Sequence, residues 1–341
     1  MKARLVIAAA LCSVLVLALL AALAQTGAGA RAATAKTFKV GLVTDVGGLH
    51  DRGFNQLSYA GLKRAQAKLH VQGRVLLSKS NSDYIPNLSA LARQGYDLVI
   101  AVGFLMTDAV DTVATQFPNT KFAIIDVDQK SLKHKPKNVE GLIFREQEGG
   151  YLIGYLAGLV AKHQGGKQIV GVVGGISIPP VNRFAGGYKA GAKAADPGVK
   201  VLVDYSQDFV VQAKCKERAL NQIAAGAQVI FADAGACGLG VLDAAKEKGI
   251  WALGGDADQS YLGPQVLSSE LKKVDVSVYS TIDTLVHNRF KGNGDAVFTT
   301  ANGGIGIGKI SPKVPKSIVN QVLAVKKKMA AGTIKNIPTA P

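Results

Sequence analysis

Aspartate and glycine close one hydrophobic run after another in this 341-residue chain. The pattern recurs at Val43-Thr44-Asp45, Val102-Gly103-Phe104, Ile125-Asp126, Gly174-Gly175, Ala232-Asp233-Ala234-Gly235 and Gly254-Gly255-Asp256. Carboxylates accept hydrogen bonds and glycine lets backbone approach a guest closely, so the combination suits holding a polar solute. Groups for turnover are missing from the sequence. The five histidines, at 50, 70, 134, 163 and 287, have no metal-ligand spacing, and there is no G-x-S-x-G elbow or strand-linked G-x-G-x-x-G. Residues 303–309 (GGIGIGK) approach a phosphate loop, but Ile310 stands where a magnesium-binding hydroxyl belongs, and Pro312 and Pro315 disfavour a helix starting there. The segment reads as a glycine-rich loop. With no nucleophile–base pair to name, the chain is expected to bind without catalysis and without metal or cofactor.

The elements that would carry these residues follow a regular rhythm. Strands are expected at 39–44, 74–77, 98–102, 122–126, 141–144, 169–173, 199–204, 229–232 and 251–254. Helices such as 54–69, 85–94, 150–162, 184–195, 215–225 and 239–248 fall between them. The strands are almost continuously apolar, as strands covered on both faces are. In the first helix Phe54, Leu57, Gly61, Ala65 and Leu69 recur at helical spacing, and Asp51 is placed to cap it. This β-α-β alternation signals a doubly wound α/β chain, better divided into two parallel sheets of five or six strands than one of nine. The first crossover is expected near 144–148. In open sheets of this kind ligands bind outside the carboxyl ends of the strands, which is where the aspartates and glycines collect.

Residues 1–35 contain three bases and no acid, and Leu5–Ala24 form a 20-residue apolar run before a small-residue tract. That order is an export signal; the run is also long enough to span a bilayer if retained as an anchor. Cys12 lies within it, and lipidation there is rejected because apolar residues 13–24 would remain. The working part is therefore expected outside the cytoplasm, in the periplasm or on the outer face of the cytoplasmic membrane. Beyond residue 35, 37 bases face 24 acids, a net of +13. The bases are scattered, with no aromatic-interleaved stripe, so nucleic acid is not the expected partner. Cys215 opens a helix and Cys237 follows the next strand, which leaves two readings open: a disulfide or two buried thiols.

Seven segments carry a resemblance: 40–56 (VGLVTDVGGLHDRGFNQ), 103–110 (GFLMTDAV), 122–128 (FAIIDVD), 138–158 (NVEGLIFREQEGGYLIGYLAG), 179–191 (PPVNRFAGGYKAG), 238–259 (GLGVLDAAKEKGIWALGGDADQ) and 268–278 (SSELKKVDVSV). In order and over about residues 38–290, they resemble the basic membrane protein family, the purine-nucleoside-type substrate-binding proteins of ABC importers. The resemblance implies a type I periplasmic-binding-protein fold: two doubly wound parallel-sheet lobes joined by three hinge crossovers. One lobe would comprise 37–144 plus 273–300, and the other 145–272 plus 301–341. It implies a nucleoside ligand, a membrane permease with its ATPase as partners, and a monomer.

The implied ligand contacts are taken one at a time. Phe54 would stack on one face of the base, Asn55 would read its edge, Asp45 would accept from the base, and Asp126 from base or sugar. Phe209 would supply the second ring, within an SQDFVV run that departs from the family's Gly-Ser-Phe, and Phe184 is the rival because it falls inside the NRF-x-x-GY motif. Gly235 and Gly238 would let the backbone approach the ligand. Asp256 would accept from ribose hydroxyls and Lys272 would donate to them, while Asp51 is explained equally by helix capping. Two other functions remain open: the same fold holding a sugar or other small polar metabolite, and a sensor or adhesion receptor without transport.

Overall fold

The computed structural model describes residues 36–341; the signal, anchor and Cys12 readings lie outside the described residues. Twelve strands and nine α-helices follow from Lys39 to Ala330 among those residues. The first sheet has the order β11-β5-β4-β3-β1-β2, built from β1 (Lys39–Val43), β2 (Gln72–Leu76), β3 (Leu98–Ala101), β4 (Lys121–Ile125), β5 (Val139–Phe144) and β11 (Gly294–Phe298). The second has the order β12-β10-β9-β8-β6-β7, from β6 (Ile169–Gly174), β7 (Lys200–Tyr205), β8 (Ala227–Asp233), β9 (Trp251–Gly254), β10 (Val266–Lys272) and β12 (Ile305–Ile307). All pairs are parallel except β10 with β12. The chain passes from one sheet to the other three times, at 144–146, 272–274 and 298–305.

Three strands escape the sequence reading. β10 (VLSSELK) is polar yet buried, because Ser269 Oγ accepts from Gln259 N at 2.9 Å and Ser268 Oγ donates to the Gly308 carbonyl at 3.3 Å. β11 (GDAVF) is an edge strand with only a short apolar end. β12 corrects the glycine-rich loop: its Ile-Gly-Ile core runs antiparallel to β10, with Leu271 opposite Gly306. Glycine opposite leucine leaves room for the larger side chain, and the two isoleucines are buried.

Helices cover both faces. The first half holds α1 (Phe54–Leu69), α2 (Tyr84–Arg93), α3 (Thr107–Gln116) and α8 (Val274–Val286). The second holds α4 (Glu146–Gln164), α5 (Pro179–Ala195), α6 (Gln212–Ala224), α7 (Leu239–Lys248) and α9 (Lys316–Ala330). α1 buries Asn55, Ser58, Gly61, Leu62 and Ala65 and leaves Lys63, Arg64 and Lys68 to solvent, so Phe54 at its start stays half-buried. No helix among the described residues is long and apolar enough to cross a membrane.

α4 and α5 meet backbone to backbone. A Cβ on Gly154 would overlap the Tyr188 carbonyl, and one on Gly191 would overlap that of Tyr151; one on Gly158 would lie 2.7 Å from the Ala192 carbonyl. These glycines recur at four-residue spacing on α4, so one face presents no side chain and the helices approach closely. Because the contact atoms are backbone, they cannot swing aside. Gly154→Val is expected to cost about 3 kcal/mol or more, beyond the usual overpacking penalty. Urea unfolding monitored by circular dichroism checks this, and a loss below about 1 kcal/mol would mean the helices can separate freely.

Candidate functional site

The carboxyl ends of both sheets open onto one cleft with a cavity volume of about 70 Å³, continuous with open solvent. It is lined from the first half by Asp45, Asp51, Phe54, Asn55, Phe104 and Asp126, and from the second by Phe184, Phe209, Asp233, Gly235, Asp256 and Lys272. Of the eleven residues that the sequence singles out for the ligand, ten lie on this wall. Gly238 lies instead on a smaller adjoining cavity that shares Asp51, Asp233, Gly235 and Asp256. Phe104, Asp233 and the apolar Ile178–Val181 stretch line the cleft without having been selected. Asp233 at least carried a signal, since it closes a strand as Asp126 does.

In the loop after β1, Asp45 and Asp51 converge on Asn55. Asp45 Oδ1 accepts from Gly47 N at 2.9 Å and from Asn55 Nδ2 at 2.7 Å. Asp51 accepts from the backbone N of Gly53, Asn55 and Gln56 and from Asn55 Nδ2. Asp51 therefore holds the start of α1 as expected, although the capping position itself is Gly53. Two carboxylates take up the Asn55 amide nitrogen, which leaves its Oδ1 shielded and without a partner. A ligand N–H is the natural complement to that oxygen.

The aromatic walls each rest on a glycine. A Cβ on Gly103, which sits at φ +110°, would lie 3.0 Å from the Phe54 ring; one on Gly175 would overlap the Phe209 ring. Phe54 and Phe209 are both half-buried, leaving ring surface toward the cleft. Phe184 is 4% exposed and packs edge-on to Phe231 in the core. Behind Phe209, Cys215 and Cys237 are disulfide-bonded, with Cα atoms 5.6 Å apart. Cys237 N also donates to the Phe209 carbonyl at 3.0 Å, so the bridge ties the Gly235–Gly238 turn to the start of α6 and the hydrogen bond ties it to the segment before that helix.

Lys272, at the end of β10, is 2% exposed. Its Nζ donates to Asp126 at 2.7 Å and to Glu146 at 3.0 Å, and Glu146 accepts from Arg183 Nε at 2.6 Å. The rings of Phe54, Phe144 and Phe184 surround the same nitrogen with centroids 5.0–5.6 Å away. Burial alone would lower the Lys272 pKa, but the carboxylates of Asp126, Glu146 and Asp256 outweigh it and hold the ammonium charged. Burial likewise pushes Glu146 up, and Lys272 and Arg183 pull it below its ordinary value. Asp126 and Asp256 both sit in left-handed backbone, at φ +71° and +63°, a conformation aspartate tolerates better than most residues. Glu146 and Arg183 were missed because neither closes a strand.

Two α/β halves around a shared cleft lined by aromatic rings and carboxyls make a two-lobed solute-binding protein. A family model for PnrA-like ABC transporter substrate-binding proteins matches residues 38–338. The CD4+ T-cell-stimulating antigen of Listeria monocytogenes is 32% identical, with 90% of each chain covered. The ABC transporter nucleoside-binding protein BmpA of Lactococcus lactis is 30% identical over 90% of this chain and 92% of its own. A crystal structure of an ABC transporter solute-binding protein from Aeropyrum pernix superposes with a TM-score of 0.80 at 27% identity, covering 88% of this chain and 94% of that one. The chain belongs to the PnrA-like (Bmp) family of ABC transporter substrate-binding proteins.

Burial dominates the cleft carboxyls. It pushes Asp45 up to about 6, Asp126 to about 7 and Asp256 to about 6, and raises Asp233 well above its ordinary value. A native carboxyl raised in this way binds its proton more tightly than the unfolded chain does. For Asp45 and Asp256 the stability this contributes is full below about pH 4 and is lost as pH rises through about 6. The ligand-free protein is therefore expected to melt several degrees higher at about pH 5 than at about pH 8, by differential scanning calorimetry. A melting point that rises over this interval would mean the cleft carboxyls stay ionised in the native state.

Proposed function

We propose that the cleft binds a purine nucleoside outside the cytoplasm and that the loaded protein presents it to an ABC permease with its ATPase. The observation that carries this reading is the pair of half-exposed rings, Phe54 from one half and Phe209 from the other, beside the unpartnered Asn55 Oδ1. A purine is a flat ring system with hydrogen-bonding edges, and stacking on an aromatic ring is worth about 1–3 kcal/mol per base. Asn55 Oδ1 and Asp45 meet the edge of the base. Asp126 and Asp256 accept from sugar hydroxyls, and Lys272 donates to them. Phe209 is favoured over Phe184 as the second ring because the Phe184 ring is committed to the core. The Lactococcus relative's description as nucleoside-binding supports the same class of ligand.

Closure of the halves on the ligand would couple binding to permease recognition, since each half supplies a different part of the grip. One contact between the halves is the Gln259 amide donating to the Arg52 carbonyl at 3.3 Å. Adenosine, guanosine or inosine at a hundredfold excess over its Kd should stabilise the protein by about 2.7 kcal/mol in a thermal-shift assay. Phe54→Ala should weaken that ligand roughly 5- to 150-fold in calorimetric titration. If all three nucleosides leave the melting curve unmoved and a free sugar shifts it, the ligand is a sugar.

A further inference from the structure

Beside the main cleft is an annex in which the nucleoside reading assigns no role to Asp233 or Gln259. It is lined by Asp51, Gly53, Asp233, Gly235, Gly255, Asp256 and Gln259 among others, so both halves build it. Its free volume is about 10 Å³, the room of a single water-sized group. Two of its side chains carry shielded oxygens with no hydrogen-bond partner: Asp233 Oδ2 and Gln259 Oε1. Gln259 is 4% exposed. Charge is unbalanced in the same sense. Asp45, Asp51, Asp126, Asp233 and Asp256 line the main cleft, and Lys272 is the one base among its lining residues. Two of the three Lys272 donors already go to Asp126 and Glu146, and their carboxyls pair with its charge.

A group that completes this annex must be small, must donate hydrogen bonds and should be positive. A hydroxyl has a single donor and no charge. An ammonium has three donors, fits the volume of a water molecule and offsets the carboxylate excess. A phosphate is too large and has the wrong sign. Burial and the neighbouring Asp256 carboxylate favour the protonated form of Asp233, and an ammonium beside it would favour the ionised form instead.

We infer that the annex is a second part of the ligand site that reads a protonated amine on the sugar of the bound nucleoside, with Asp233 as the specificity-determining residue. This rests on the nucleoside reading above. Asp256 belongs to both the cleft and the annex, so the sugar it holds is the part of the ligand that faces the annex.

The test is calorimetric titration of the full chain at about pH 7 with adenosine, 5′-amino-5′-deoxyadenosine, 3′-amino-3′-deoxyadenosine and adenosine 5′-monophosphate. One of the two amines is expected to bind about tenfold or more tighter than adenosine, and the monophosphate at least about tenfold weaker. In Asp233→Asn, the amine-to-adenosine affinity ratio should fall to within about twofold, whatever the absolute affinities. The wild-type comparison stands even if the variant fails to fold, which its melting curve reports. If adenosine binds and neither amine is preferred, the annex holds water and the inference is overturned while the nucleoside reading survives. A preference that persists in a folded Asp233→Asn variant overturns the role of Asp233. If none of the four ligands binds, both readings fall together.

Discussion

A buried ammonium ties the two halves of this protein together. Lys272 belongs to the second sheet, Asp126 to the first, and Glu146 follows the first crossing between them. Taking three charges out of water costs several kcal/mol per ion before their attraction is counted, and only close, multiple contacts return it. Here the returns are two short ion pairs, three aromatic rings and the Arg183 guanidinium on the far side of Glu146. Lys272 itself ends β10 immediately before the second crossing. The network therefore sits at two of the three places where the chain changes sheets. A rotation of one half against the other must turn about these charges or break them.

The network in turn depends on how α4 and α5 pack. Glu146 begins α4 and Arg183 lies in the first turns of α5, so their 2.6 Å contact requires the two helices to start side by side. Gly150, Gly154 and Gly158 on one helix, with Gly187 and Gly191 on the other, bring the backbones into direct contact. A side chain at these positions would move Arg183 and Phe184 away from the cleft floor together. The glycines of the GGYLIGYLAG and FAGGYKAG segments thus serve the site from a distance, through packing rather than through ligand contact.

Two parallel sheets and a cleft at their carboxyl ends were legible in the sequence because the central strands are unbroken apolar runs that end in Asp or Gly. Where that signature fails, so does the reading. β10 is buried but polar, since its serines satisfy neighbouring backbone and its lysine satisfies carboxylates, and periodicity reports hydrophobicity rather than burial. β12 hid within a run of glycines because its partner strand, not its own side chains, gives it order. The same distinction governs the site. Asp45, Asp126 and Asp256 announce themselves at strand ends, whereas Glu146 and Arg183 act through Lys272 from inside helices. Asp233 closes a strand as visibly as the others, and its importance emerges only when its orphaned oxygen and its neighbours are seen in three dimensions.

Charge separates the exterior of the protein from its cleft. The chain carries a formal +16, yet five aspartates and one lysine line the cavity between the halves. Outside, a positive surface attracts anions over roughly the 8 Å that physiological salt leaves unscreened. Inside, low dielectric makes each charge count for more, and the lysine is already paired. An anion drawn to the surface therefore meets repulsion at the cleft, and a neutral solute must offer enough hydrogen-bond donors to replace the water these carboxyls lose. Selection by charge at contact distance, through the carboxyls that line the cleft, does not require the exterior to share their sign.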